Sequence, residues 1–325
     1  MCSSRRAGDA LNLLRAEGAS AYRLRLFVNP RPRGIVDNGL DYTVALARRV
    51  KASGAAFMLD LHYSDTWADP AKQTKPAAWE GFAFEELVEQ VGAYTRAVLE
   101  RFEREGLRPD FVQVGNEITN GLLWPEGRLS WTEGADHAAE RARFARLLKA
   151  GVDAVPRGPG QPQIVLHIES GADREKSRTW LRTVVEAGIA CDVLGLSYYP
   201  DWHGGLAAYR DTLAALAIEF GRPIMVVETA YPARPHRFFE GKPGMDWPLT
   251  PEGQAQFLRD VVAAVRSLPR GLGRGVWYWH PESVPAEGLR AWHDGACALF
   301  DAQGAMRPGA AALFGGDGEN AGEPD

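Results

Sequence analysis

An eight-stranded parallel (β/α)8 barrel of the TIM type, with no legible first β-strand, is the fold class this sequence predicts. Three observations predict it. Short apolar runs alternate with longer amphipathic ones, which means parallel strands joined by helical crossovers. The apolar runs are continuous, as strands covered on both faces are. The length of 325 residues suits a single barrel domain.

Strand-like runs occupy Tyr22–Val28, Ala55–His62, Phe111–Glu117, Ile164–Ile168, Val193–Tyr199, Ile224–Glu228 and Gly275–Trp279. Helical periodicity covers Asp9–Glu17, Leu40–Ser53, Phe84–Glu105, Ala135–Val155, Asp173–Ala187, Leu206–Phe220 and Pro251–Ser267. The helix ends carry local signals. Thr250-Pro251-Glu252 sets a capping hydroxyl, then proline at the first helical position, then an acid in the first turn. Gly54, Gly106 and Gly188 follow helices where a left-handed residue ends them. The barrel is expected over residues 1–314 as one domain, with 315–325 a Gly-rich, acidic, disordered tail. The chain opens on a helix, and Met1–Gly8 does not read as a strand. Either a first strand is encoded upstream of Met1 or the barrel is incomplete, and because an open parallel barrel exposes two strand edges the first is the expectation.

Composition narrows the partners. Net charge is −5 and the pI is near 5.9, with no basic stripe to hold nucleic acid or a membrane surface. Three cysteines, Cys2, Cys191 and Cys297, show neither a disulfide framework nor zinc-ligand spacing. No run is long and apolar enough to span a membrane, and no signal peptide is legible. Ten tryptophans are the stronger signal, because indole faces stack on the C–H faces of sugars. The competing role of each is core filling, and Trp180, mid-helix, is read that way.

In a parallel barrel the chemistry sits at the C-terminal ends of the strands, and the unusual residues collect there. One strand ends in His62-Tyr63-Ser64-Asp65, followed by Trp67. The next ends in Asn116-Glu117, and later ones in His167, Tyr198-Tyr199, Glu228 and Trp279-His280. A lone strand-end glutamate is more often a rim ion pair or a helix cap. Two of them, on the fourth and seventh strands of an eightfold count, face each other across the barrel mouth. Glycoside hydrolysis uses such a pair, with carboxyls about 5–5.5 Å apart when configuration is retained. Glu117 is read as acid/base and Glu228 as nucleophile. A nucleophile needs donors or positive charge beside it, and Arg25 with the hydroxyl of Tyr198 or Tyr199 is expected to supply them. The competing reading of Arg25 is an ion pair with Asp60. Asn116 is placed to bond a sugar 2-hydroxyl. His62 and His167 bond hydroxyls or hold the carboxylates, unless they are simply satisfied core histidines. Asp65, Trp67 and Trp124 belong to the loops above, and Trp279 is the candidate floor under the sugar. No histidine spacing makes a metal site.

These residues fall in motifs that resemble glycoside hydrolase family 53, the arabinogalactan endo-β-1,4-galactanases. The resemblance rests on Arg23-Leu24-Arg25-Leu26 with Asn29-Pro30, on Leu61 through Pro70 with Lys72-Gln73, and on Gln113-Val114-Gly115-Asn116-Glu117-Ile118 with Leu123-Trp124-Pro125. It continues through Gly195–Pro200, Val227-Glu228-Thr229 and Thr250–Gln254, and closes on Gly275–Trp279. It implies a retaining endo-acting enzyme on β-1,4-galactan, with Glu117 and Glu228 in the roles given above. It also implies a polysaccharide as partner, a monomer, and an extracellular or periplasmic location. Two departures stand out. His280 follows Tyr278-Trp279 where the family carries glutamate. The loop Tyr231–Leu249 lacks the Asp/Asn-rich run with which some bacterial members bind calcium, an ion that needs oxygen-rich ligands. No cofactor and no metal are therefore expected. Other readings of the same residues are a mannanase or endoglucanase of the same clan, or a non-catalytic glycan-binding barrel.

Overall fold

The computed structural model describes residues 9–30, 37–134, 136–288 and 290–315. The Met1–Gly8 segment with Cys2, and nearly all of the expected tail, lie outside the described residues. Seven parallel strands form one sheet: β1 (Ala21–Leu26), β2 (Ala56–Leu61), β3 (Phe111–Val114), β6 (Gln163–Ile168), β7 (Val193–Tyr198), β8 (Ile224–Thr229) and β9 (Gly273–Tyr278). Their spatial order follows the chain, as right-handed crossovers through helices dictate. The strands β4 (Gly121–Leu122) and β5 (Gly127–Arg128) make a separate small hairpin.

The helices are α1 (Ala10–Ala16), α2 (Leu40–Ala52), α3 (Phe84–Arg104), α4 (Ala138–Asp153), α5 (Arg174–Glu186), α6 (Pro200–His203), α7 (Leu206–Phe220), α8 (Pro251–Arg266) and α9 (Pro308–Phe314). The seven predicted helices are present, trimmed by a few residues. Thr250 caps α8 as its sequence indicates, its side chain accepting from the Gly253 amide. The short helices α6 and α9 have no counterpart in the sequence reading, because four residues, or seven that are mostly Ala and Gly, show little periodicity.

The sheet curls into a barrel that stays open between β1 and β9. Among the described residues, no strand pairs with the outer edge of either. A cavity of about 1020 Å3 lies in that opening, lined by Ala21, Arg23 and Arg25 on one side and by Arg274, Val276 and Trp277 on the other. Among the described residues the strand order shows seven barrel strands, as the sequence reading expected, and none before β1. The opening also explains the accessibility of β9, only partly buried where β7 and β8 are buried throughout.

Side chains alternate across the strands, except at the register shift in β8 around Val227. Outward residues such as Leu24, Phe57, Leu59, Val112, Leu166 and Leu196 pack under the helices in the main core. Inward, Met58, Val165, Val193, Met225 and Val227 form a separate apolar plug with Phe111 and Trp277 against it. Arg23, Asp60, Gln113, His167 and Ser197 point inward as well. The plug is therefore the floor of a polar chamber at the strands' C-terminal ends.

Candidate active site

The predicted strand Phe111–Glu117 ends at Val114. Gly115 has φ +85° and Glu117 φ +48°, so the chain leaves the sheet through left-handed conformations. A single turn of 3-10 helix, Ile118–Asn120, follows. Left-handed backbone is uncommon for a non-glycine residue, and here it turns the Glu117 carboxyl back over the barrel mouth. Gly121, at φ +88°, then enters the β4–β5 hairpin with its α-carbon pressed on the Gly127 carbonyl, which a β-carbon would approach to 1.9 Å. Glu228 lies inside β8, 4% exposed, at a β-bulge: Leu196 pairs with Val226 and Ser197 with Glu228, so Val227 is skipped and both Val227 and Glu228 face inward.

Arg23 is the hub. Its guanidinium donates to Glu228 Oε1 at 2.7 Å, Gln113 Oε1 at 2.9 Å and Asn116 Oδ1 at 2.6 Å, and it pairs with Asp60 at 2.9 Å. Sequence reasoning gave the first role, and the alternative ion pair with Asp60, to Arg25. Both contacts belong to Arg23. The two arginines share one face of β1 because side chains repeat every second residue, and Arg25 stands one step nearer the mouth. There its guanidinium carbon lies 4.1 Å from the Trp67 ring centre and 5.0 Å from that of Trp279. Arg25 also meets His280 Nε2 at 3.3 Å, while its Nε has no partner. Burial brings the Arg25 pKa down to about 10, and Glu282 only partly offsets this. For Arg23 burial also opposes charge, but Asp60 and Glu228 outweigh it and raise the pKa above the ordinary arginine value.

The two glutamates sit in different surroundings. Glu228 Oε2 accepts from the Tyr199 hydroxyl at 2.9 Å and Oε1 from Arg23. Of the two tyrosines considered, Tyr199 is the partner. Tyr198 is a core residue stacked on Tyr209, its hydroxyl spent on the Gly204 carbonyl. Burial and the nearby carboxylates push the Tyr199 pKa well up, so its hydroxyl keeps the proton it donates. Glu117 Oε1 accepts from Ser197 Oγ at 2.7 Å. Burial raises the Glu117 pKa well above the usual carboxyl value, and the charge of Glu228 adds to the rise. One carboxyl held by a guanidinium and a phenol, beside another whose pKa is raised, is the arrangement that an acid paired with a nucleophile or base needs.

The supporting residues have definite partners. Asp60 is fully buried between Arg23 and His62; burial opposes its charge, but Arg23 and then His62 hold its pKa below the ordinary value. His62 Nδ1 accepts from the Ala68 amide at 3.1 Å, so its Nε2 is the atom that donates to Asp60 at 3.0 Å. Asn116 donates to the Ala68 carbonyl at 2.8 Å, which aims its oxygen at Arg23 and at His167 Nδ1, 2.9 Å away. His167 Nε2 lies 2.9 Å from Ser197 Oγ. Burial, then the charge of Arg23, holds the His167 pKa well below the usual value. Asp65 touches neither glutamate. Its two oxygens accept from the Asn29 and Ala77 amides at 2.8 and 3.0 Å and tie two loops together. Trp124 donates to the Asn120 carbonyl at 2.8 Å and carries Arg128 over its ring at 4.7 Å. Trp67 and Trp279 meet edge to face, with ring centres 5.7 Å apart, beside Arg25. Among the described residues no cluster of three metal-ligating side chains gathers, and no helix is long and apolar enough to cross a membrane.

Sequence reasoning left out Arg23, Gln113 and Ser197 as site residues. Each is a polar residue on the inward face of an apolar strand, and that alternation was the signal available. Glu169 was left out too. It follows β6, raises the Glu117 pKa further by its charge, and has one buried oxygen without a partner.

The family model for glycosyl hydrolase family 53 matches residues 2–313. A Niallia circulans protein described as "uncharacterized protein in bgaB 5'region" is 44% identical over 291 residues, covering 86% of this chain and 77% of its own. A probable arabinogalactan endo-beta-1,4-galactanase A of Aspergillus terreus is 37% identical over 289 residues, covering 86% of this chain and 79% of its own. Among solved structures, the family 53 catalytic domain of Ignisphaera aggregans superposes with a TM-score of 0.85 at 32% identity, covering 94% of this chain and 88% of that one. The barrel, its two glutamates and these likenesses agree, and the chain belongs to glycosyl hydrolase family 53.

Proposed function

We propose that this protein is an endo-β-1,4-galactanase that hydrolyses (arabino)galactan with retention of configuration, Glu117 serving as acid/base and Glu228 as nucleophile. The observation that carries the reading is the contrast between the two carboxyls. Glu228 accepts from a guanidinium and a phenol, while Glu117 has its pKa raised by burial and by Glu228. The galactan substrate is the one named for the Aspergillus terreus relative.

In the first step Glu228 attacks the anomeric carbon, and the bond to the leaving oxygen breaks as Glu117 delivers its proton there. In the second step Glu117, now a carboxylate, takes a proton from water, and that water displaces Glu228 from the anomeric carbon. Arg23 and Tyr199 fix the Glu228 carboxylate for attack, and Asn116 holds its oxygen through the same guanidinium. Trp279, with its ring edge against Trp67, offers the apolar floor under the reacting sugar. Every group used is a side chain, so the reaction as written draws on no cofactor.

The test is a polysaccharide panel of galactan, arabinogalactan, mannan, xylan and β-glucan with product sizing. Internal cleavage of galactan is expected, and cleavage of mannan or β-glucan in its place refutes the substrate. Glu228→Ala should lose turnover and regain part of it with azide, as a galactosyl azide of inverted configuration. Ordinary activity of Glu228→Ala on galactan would remove it as nucleophile. For Glu117→Ala, an aryl glycoside with a good leaving group should lose far less than polymer, because its departure needs little acid help. Equal losses would count against the acid role.

A further inference from the structure

A path of hydrogen bonds runs from Asn116 through His167 and Ser197 to Glu117, and counting its protons fixes its direction. Asn116 is the starting point. Its amide nitrogen donates to the Ala68 carbonyl at 2.8 Å and its oxygen accepts from Arg23 at 2.6 Å, so the oxygen is the atom that faces His167 Nδ1 at 2.9 Å. An amide oxygen only accepts. The other neighbours of Nδ1 are donors, and two of them are fully engaged elsewhere. Gln113 Nε2 stands 3.2 Å away and places its two hydrogens on Asp60 at 2.7 Å and on the Gly115 carbonyl at 2.9 Å. Arg23 Nη2 stands 3.5 Å away and places its two on Asn116 and on Asp60 at 2.9 Å. The Glu117 amide is left, at 3.4 Å. His167 is fully buried, and burial, with the charge of Arg23 beside it, keeps the ring neutral. The short contact to Asn116 therefore requires the single ring proton on Nδ1.

That tautomer sets the rest of the path. Nε2 carries no proton and accepts from the Ser197 hydroxyl at 2.9 Å. Ser197 has one hydrogen, so its 2.7 Å contact with Glu117 Oε1 is then bridged by a proton on Glu117. When Glu117 is ionised, Ser197 turns its hydrogen to the carboxylate instead, and the lone pairs of Oγ and Nε2 face each other. Relief requires the ring proton on Nε2, with loss of the bond to Asn116.

We propose that His167 is a positioning residue that, through Ser197, keeps the proton on Glu117 in the enzyme awaiting substrate. On binding, the leaving oxygen replaces Ser197 as the acceptor of that proton. Once the proton has gone, the Ser197 hydroxyl turns to the Glu117 carboxylate and steadies it as base. One proton leaves the three side chains, and those of Ser197 and His167 stay. The inference rests on the acid role proposed for Glu117. The charged or titratable groups facing the pair are Arg23 on β1, His62 after β2, Glu169 after β6, Tyr199 after β7 and Glu228 on β8. Ser197 is the side chain that bonds both.

Nuclear magnetic resonance of the parent chain, labelled at its histidine ring nitrogens, reads the tautomer directly. The His167 signal is the one absent from His167→Leu or, where that variant does not fold, from His167→Gln. At about pH 5, above the ordinary carboxyl range, a neutral His167 with its proton on Nδ1 is expected. A proton on Nε2, or on both nitrogens, overturns the proposal. Kinetics then test the path. The alkaline limb of kcat/KM on galactan reports the free enzyme. In His167→Leu it should fall by about one pH unit, because Ser197 is then free to donate to the carboxylate. In a Ser197→Ala background the same change should leave the limb in place. A limb unmoved in His167→Leu, or moved equally in both backgrounds, overturns the proposal, since a purely structural loss lowers the rate at every pH without moving it. A parent chain that cleaves no galactan defeats the galactanase reading instead, and the ring spectrum then decides the role of His167.

Discussion

Replacing Arg23 by lysine separates the charge of the hub from its shape. Arg23 serves four acceptors at 2.6–2.9 Å: Asn116, Glu228, Gln113 and Asp60. Lysine keeps the charge but offers three donors at one point where arginine presents a planar fork of five. At least one buried acceptor goes unserved and the others are met at poor angles. Hydrogen bonds to charged groups contribute about 1.5–3 kcal/mol each, so losing one or two costs about 2–5 kcal/mol. Arg23→Met also removes the charge and leaves Asp60 and Glu228, 0% and 4% exposed, as uncompensated buried carboxylates. Breaking a buried pair in this way costs about 3–5 kcal/mol. At about 2–4 °C per kcal/mol, the lysine variant should melt roughly 5–15 °C below the parent and the methionine variant at the lower end or beyond. Activity should fall further than stability implies, since a misplacement of about 1 Å at the nucleophile costs about a hundredfold. Thermal melts and kcat/KM on galactan read both effects. An Arg23→Lys enzyme within threefold of the parent, melting within about 2 °C of it, would show that charge alone suffices and that the fork does not matter.

Glu117 carries a pH signature. Its folded pKa lies above the ordinary 4.5 because of burial and Glu228, so the folded chain holds this proton more tightly than the unfolded one. The associated stability is fully present below about 4.5 and is lost as pH rises through the folded value. Glu117→Gln should therefore gain in melting temperature over the parent between acid and neutral pH, and a difference independent of pH would refute the assignment. Tyr199→Phe removes one donor to Glu228 and should cut kcat on a nitrophenyl glycoside roughly tenfold to a hundredfold, as loss of about 1.5–3 kcal/mol does; an unchanged kcat would sink that role. Gly121→Ala forces a β-carbon to within 1.9 Å of the Gly127 carbonyl at φ +88°. It should destabilise by about 2–4 kcal/mol in urea titration, and a loss under 1 kcal/mol would mean that the hairpin opens freely.

Much of this molecule was legible before any coordinate. Strands and crossover helices announce themselves through long apolar runs and 3.6-residue periodicity, and the strand ends then locate the chemistry. The limits were those of local pattern. Arg23 and Arg25 carry the same side chain on the same face of β1, and nothing in Arg23-Leu24-Arg25 says which of them lies level with Glu228. That depends on stagger between β1 and β8, two strands that never pair. Glu117 looked like a strand terminus because Phe111 to Val114 is apolar and nothing before Ile118 forbids extension. Its left-handed backbone follows from the packing of the 3-10 turn behind it. Asp65 was legible only as a residue of the loops above the barrel, and its part there, a loop clamp through two amide hydrogen bonds, needs partners distant in sequence. Ser197 and Gln113 fall inside family motifs, but the motifs do not say what they do; each matters because a partner from another strand arrives opposite it.

The open edge beside β1 bears on this site unevenly. Arg23 stands on β1, yet its partners come from β2, β3, the turn after β3, and β8. Tyr199 and Ser197 bring in the end of β7, and His167 brings in β6. Arg23 itself lines the opening, and its bond to Glu228 ties β1 to β8 across the barrel, while Ser197, His167 and Asn116 stand on the paired strands or on the turn after β3. The next layer out faces the gap as well. Arg25 lines the cavity with an unpaired Nε, and Trp279 and His280 line it from the β9 side. Arg25 is held there by two indoles and a histidine rather than by a carboxylate. The opening is therefore bordered by both layers, by Arg23, which holds Glu228, and by Arg25 with Trp279 beside it. Anything that fills the opening acts on Glu228 directly through Arg23 and on the aromatic floor through Arg25 and Trp279.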